Sequence, residues 1–186
     1  MKMRNMRKQR GFTFVEMMVT IAISSMITYA IFAVLRLGDV HSQTAQLRMT
    51  IQDSAREGLY KMVQEIRQSA PSRIAIAGGA NNNTIQFNIP NPVNPVAADF
   101  SVNWAGSNLI RYALGGTNNR QIIRTNLTTG QTSVMANDVA TLTITGNNPQ
   151  PTVVTVTVGV QRTLVNNRVV PAVPLQMTAQ AEVRNT

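Results

Sequence analysis

Arg10-Gly11-Phe12-Thr13-Phe14-Val15-Glu16 opens an apolar run that lasts to Leu37. From Phe12 onward, Glu16 is the only charge before Arg36. Twenty-six residues rising about 1.5 Å each reach roughly 39 Å, enough to cross a hydrocarbon core of about 30 Å. A carboxylate carried toward that core costs roughly 2.5–3.5 kcal/mol on insertion scales. Glu16 therefore reads as a functional residue whose partner has to be found. Ahead of it stand Lys2, Arg4, Arg7, Lys8 and Arg10. Positive charge before an apolar helix keeps that end in the cytoplasm and sends the remainder outside.

The order glycine, aromatic, Thr, two apolar residues, Glu, then an unbroken apolar helix resembles the class III signal of type IV pilins and pseudopilins. The resemblance implies cleavage between Gly11 and Phe12 by a prepilin peptidase and N-methylation of the new terminal Phe12. It makes Glu16 the fifth mature residue and gives it a subunit-assembly role, meeting the amino group of Phe12 in a neighbouring copy. A buried carboxylate wants a positive partner, and a free amine exists at Phe12 only after cleavage. An ordinary secretory signal carries its cut after the apolar stretch; here the apolar helix stays in the mature chain. The plainer alternative is a simple N-terminal anchor with a chance glycine before it.

The formal charge of +9 is mostly a property of residues 1–11, and the chain beyond the proposed cut carries +4. A nucleic-acid reading based on net charge loses its force accordingly. Cysteine is absent, which excludes a disulfide framework, a thiol nucleophile and Cys-ligated metal. Sparse charge and abundant Asn, Thr and Gln suit a β-rich exported domain.

The helical pattern continues past the apolar half. Val40, Thr44, Leu47, Ile51, Ala55, Leu59, Met62 and Ile66 recur at three- and four-residue steps as one stripe. No proline occurs between Phe12 and Ala70, and Pro71 pushes Ala70 out of helical geometry. A single helix from Phe12 to Ala70 is expected, its outer half covered by a β-sheet. Gly38 and Gly58 read as weak points, each costing about 1 kcal/mol relative to Ala. Asp53, Arg56, Glu57, Lys61, Glu65 and Arg67 read as solvated faces, with Glu57 to Lys61 a favourable i,i+4 pair. Thr20, Ala22, Ser24, Ser25, Thr28, Ala30 and Ala33 serve either as helix-packing positions or as ordinary filler.

After Pro71 the pattern becomes strands and turns. Strands are expected over 84–89, 109–114, 121–125, 132–135, 139–145, 152–160 and 175–184, forming one antiparallel sheet. Turns fall at Gly78-Gly79-Ala80-Asn81-Asn82-Asn83, Gly115-Gly116-Thr117-Asn118-Asn119, Thr129-Gly130, Asn147-Asn148-Pro149 and Asn166-Asn167-Arg168. Residues 90–106 form a surface excursion, with Trp104 as a core plug in preference to an exposed contact. Gln64-Glu65-Ile66-Arg67, Arg111-Tyr112-Ala113-Leu114, Ile123-Arg124 and Glu182-Val183-Arg184-Asn185 resemble PilW-like minor pilins, and J-type minor pseudopilins of type II secretion share much of the pattern.

No chemistry-bearing constellation stands out. His41, the single histidine, has Asp39 nearby but no nucleophile in any recognisable arrangement, and reads as a solvated side chain. Asp99, Asp138 and Glu182 are too scattered for calcium. Neither a cofactor nor a metal is expected. Arg111, Arg120, Arg124, Arg162 and Arg168 are candidates for a DNA-binding surface only if they share a face.

The expected fold is α+β and pilin-like: a basic leader over 1–11, an apolar helix half over 12–37, an amphipathic half over 38–70, and a β-rich periplasmic domain over 71–186. The expected function is structural. A minor pilin-like subunit of the inner membrane would prime or cap a type IV pilus, working with the prepilin peptidase, the assembly platform and other pilin subunits. The alternatives are a minor pseudopilin of a type II secretion system, a membrane-anchored periplasmic binding protein or enzyme, and a DNA-uptake minor pilin.

Overall fold

The computed structural model describes residues 12–77, 82–147, 149–164 and 169–183. The leader, residues 78–81 of the Gly78–Asn83 turn, and the Asn166–Arg168 turn lie outside the described residues. The protein divides into two compact units, Met1–Ala45 and Gln46–Thr186. Helix α1 runs Phe14–Arg67 and supplies residues to both.

In the N-terminal unit every described residue through Gln43 is exposed. The helix there is long and apolar enough to cross a membrane. Val40, expected in the buried stripe, is exposed. Protein cover of the stripe begins at Leu47, which is partly buried against the core.

In the C-terminal unit α1 buries Ile51, Ala55, Gly58, Leu59, Met62, Val63 and Ile66. These three- and four-residue steps place one apolar strip against the sheets. The helix ends three residues before Ala70, where Gln68 and Ser69 N–H groups donate to the Glu65 and Ile66 carbonyls at 3.1 and 3.0 Å. Ala70 is extended, as a residue before proline must be, with φ −111° and ψ 149°. Pro71–Arg73 form one 3-10 turn.

Eight strands follow: β1 Ile74–Ala77, β2 Thr84–Ile89, β3 Asn108–Gly115, β4 Gln121–Asn126, β5 Thr132–Ala136, β6 Val139–Gly146, β7 Val153–Thr163 and β8 Val169–Glu182. They form two antiparallel sheets, β1-β2-β3-β4-β5 and β6-β7-β8, where one sheet was expected. The break follows the β5–β6 turn, where Asp138 takes φ +59°. β6 then pairs with β7 in place of β5. Strand β1 was missed because Ile74-Ala75-Ile76-Ala77 is short and wholly apolar, without a polar alternation. β8 starts six residues earlier than expected and contains Pro171 and Pro174, which a strand at the edge of its sheet tolerates.

The alternation of β7 is read correctly by its Thr and Val order. Val154, Val156 and Val158 are buried, while Thr155 and Thr157 pair with Thr145 and Thr143 on the opposite face. Their partners from the five-stranded sheet are Ile85, Phe87, Ile110, Tyr112 and Ile122, all fully buried in the same core. The Phe87 and Tyr112 rings stack with centroids 6.1 Å apart. Each such apolar side chain removed from water contributes about 1.5–3 kcal/mol. This is the α+β, pilin-like architecture: one long N-terminal helix, its later half packed on antiparallel sheets.

Two residues behave differently from expectation. A Cβ on Gly58 would lie 2.8 Å from the Met135 carbonyl oxygen and 3.1 Å from the Ala136 Cβ. Gly58 is therefore the point of closest approach between helix and β5, not a weak point. Trp104 is half-buried, not a core plug; the Arg73 guanidinium lies 4.5 Å over its ring.

Candidate processing and assembly site

Helix α1 begins immediately after the residues that the signal resemblance singles out. Gly11 lies outside the described residues, and Phe12 precedes the helix with 76% of its surface exposed. Thr13 is the cap: its carbonyl accepts the Met17 N–H at 3.2 Å. Its hydroxyl accepts the Glu16 N–H at 3.3 Å, and the Glu16 carboxylate accepts the Thr13 N–H at 3.5 Å. These reciprocal bonds form a capping box, whose Thr-x-x-Glu spacing is visible in Thr13-Phe14-Val15-Glu16. Glu16 thus has a local helix-starting role, and Thr13, read from the sequence only as part of the signal, is its capping partner.

The hydroxyls farther along the apolar half are satisfied within the helix. Thr20 donates to the Glu16 carbonyl at 2.6 Å, Ser25 to Ala22 at 2.8 Å and Thr28 to Ser24 at 2.8 Å. Back-bonding of this kind lets a hydroxyl sit in an apolar medium without a partner from another chain.

A second cluster lies in the C-terminal unit, among residues read as a solvated face. The Glu65 carboxylate accepts the Arg124 Nε–H at 3.0 Å on each oxygen and the Tyr112 hydroxyl at 2.9 Å. The Arg124 and Glu65 side chains are 21% and 24% exposed, and Tyr112 is fully buried. Burial, then the Glu65 charge, push the Tyr112 hydroxyl well above the usual phenol range. Burial works against the Arg124 charge, but bonding and attraction to Glu65 outweigh it and raise the arginine further. Three stretches noted separately in the sequence thus meet in one polar clamp between α1 and strands β3 and β4. Arg67 is exposed, as read, and also donates to the Gln180 carbonyl at 3.3 Å. The Glu57–Lys61 pair forms as read, at 2.6 Å and exposed.

The five arginines do not make one surface. Arg124 is the cross-strand partner of buried Tyr112, so it shares that inward face, and Arg111, the next residue to Tyr112, points the other way. Arg120 donates to the Thr163 hydroxyl at 3.0 Å and to the Gln161 carbonyl. Arg162 lies 3.9 Å from Asp138. Arg168 is outside the described residues. Among the described residues no three His, Cys, Asp or Glu side chains are grouped to hold a metal ion.

Comparison with known families bears on the first of these clusters. Residues 6–32 match the family model described as the prokaryotic N-terminal methylation motif. The chain carries this methylation motif. The matched span contains Gly11, Phe12, Thr13 and Glu16 together with most of the apolar half of α1. The motif is the class III signal of type IV pilins, and with the apolar helix behind it is consistent with anchoring in the inner membrane. No curated protein and no solved structure matches the chain.

Proposed function

We propose that the chain is a minor pilin-like structural subunit. Prepilin peptidase cleaves it between Gly11 and Phe12 and Phe12 is N-methylated; the product then helps to prime or cap a type IV pilus. The basic leader holds the N-terminus in the cytoplasm, the apolar half of α1 crosses the inner membrane, and the C-terminal unit faces the periplasm. Its partners are the peptidase, the membrane assembly platform and other pilin subunits. The role is structural rather than enzymatic.

One observation carries the reading. The methylation motif places an acid in the first turn of a helix whose apolar side chains are all exposed through the N-terminal unit. Those side chains need lipid or neighbouring helices, and the acid needs a cation when the helix is so surrounded. The amine released at Phe12 of an adjacent subunit supplies it.

The capping box provides the rival explanation of Glu16, and one substitution separates the two. Glu16→Gln keeps a side chain that reaches back to the Thr13 N–H but removes the charge. In cells carrying the assembly machinery, Glu16→Gln and Glu16→Leu should both abolish incorporation into sheared fibres, while Thr13→Ala should retain it. Incorporation of Glu16→Gln at the wild-type level would refute the charge-pairing role.

A further inference from the structure

The excursion between β2 and β3 displays apolar side chains outward. Phe100 is 91% exposed, Val93 81% and Val96 57%. Phe100 also holds φ +63°, a left-handed conformation that a bulky side chain adopts only under constraint. The turn that carries it is tightly bonded. Ala97 N–H donates to the Ser101 carbonyl at 2.9 Å and Phe100 N–H to the Ala97 carbonyl at 3.0 Å. The Asp99 carboxylate accepts the Ser101 N–H at 3.1 Å and its hydroxyl at 2.6 Å. A bridge between Val96 and Val102 closes the base. The backbone that presents the ring as a knob is therefore held in place. Nothing in the folding of one chain is gained by holding a phenylalanine in water at positive φ, where asparagine or glycine fits more cheaply.

The same unit holds a groove of about 530 Å³ whose walls mix Ile89, Pro90, Pro92, Pro95 and Val102 with the polar side chains of Gln68, Asn91, Asn108 and Arg67. The Arg67 guanidinium has five N–H donors; its bond to the Gln180 carbonyl uses one nitrogen. The knob brings the opposite charge. Asp99 is the only charged residue from Pro90 to Ile110, and the Ser101 bonds hold its carboxylate below the usual range. An acid beside Phe100 with no basic neighbour in the segment does not suit an anionic lipid surface. It does suit a proline-walled recess bordered by an arginine.

We propose that knob and groove are the two halves of one contact between copies of this chain. Phe100 of one copy enters the proline-lined groove of another, and Asp99 meets Arg67 beside it. The contact stands on the C-terminal unit alone and does not depend on Glu16.

The test places the photoreactive residue p-benzoylphenylalanine at position 100 of the full chain in membranes. Irradiation should give a covalent dimer whose cross-link maps to residues 89–95 or 102 of the second copy. Adducts to lipid alone, to a different protein alone, or no adduct would overturn the proposal. Asp99→Arg and Arg67→Glu should each lower the dimer yield by about tenfold or more, because like charges then face each other. The double variant, Asp99→Arg with Arg67→Glu, should restore it. Equal yields from the single and double variants would also overturn the proposal.

Discussion

Glu65→Leu removes the acid that holds Arg124 and Tyr112, and its cost can be worked from the geometry. Removing one partner of a fully buried ion pair costs about 3–5 kcal/mol, because the other charge stays buried and unpaired. Arg124 and Glu65 keep about a fifth to a quarter of their surface in contact with water. That places the loss near the lower end, at about 3 kcal/mol, including the Tyr112 hydroxyl left without its acceptor. For a chain of this size about 1 kcal/mol shifts the melting temperature by about 2–4 °C, so a drop of about 6–12 °C is expected. Thermal unfolding of the full chain in detergent micelles, followed by near-ultraviolet circular dichroism, reads this directly. The sharper arm is the cycle. Glu65→Leu with Arg124→Leu replaces the pair by apolar side chains and should recover most of the loss, to within about 1–2 kcal/mol of wild type. If the two single losses simply add in the double variant, Glu65 and Arg124 are not coupled and the clamp is refuted. Lys61→Ala, which breaks the exposed Glu57–Lys61 pair, should leave the melting temperature unchanged.

Gly58→Ala and Gly38→Ala should move in opposite directions. Both gain about 1 kcal/mol of helix propensity, but the new Cβ at Gly58 lies 2.8 Å from a carbonyl oxygen of β5, whereas Gly38 has nothing within 4 Å. Overpacking costs about 1–3 kcal/mol, so Gly58→Ala should lower the melting temperature and Gly38→Ala should raise helicity. A stabilised Gly58→Ala would contradict the close approach. Tyr112 predicts an alkaline limit. Its folded pKa is raised above the unfolded value of about 10, so above that pH the unfolded state holds fewer protons and stability falls. Below about pH 10 the contribution is fully present. Melting temperatures measured from about pH 9 to about pH 11 should fall more steeply for wild type than for Tyr112→Phe; parallel curves would reject the assignment.

The helix and most strands were legible because their signals are local. Pro71 fixes Ala70 in extended geometry, and the Thr and Val alternation of β7 assigns each side chain to a face. The Thr-x-x-Glu capping box is equally local, and it gives Glu16 a partner within its own helix beside any cation a membrane position demands. What stayed hidden depends on contacts between elements far apart in sequence. Glu65 meets Tyr112 across 47 residues and Arg124 across 59, and no periodicity links α1 to those strands. Gly58 looks like a helix defect until β5 is laid against it. The split into two sheets follows from the backbone at one turn, near Asp138, and strand patterns alone are the same for one sheet or two. The arginines suggested a surface in composition, and only the β3–β4 register, which sets Arg111 and Arg124 on opposite faces, dismantles it.

The central claim is that the chain is processed at its methylation motif and enters a fibre through the helix that follows. Intact-mass measurement of the chain, isolated from membranes of cells with an active prepilin peptidase, tests the processing step. The account predicts a mature N-terminus at Phe12 carrying one methyl group on its amine, and an unprocessed chain when the peptidase gene is deleted. A chain that begins at Met1 in cells with the active peptidase would contradict it.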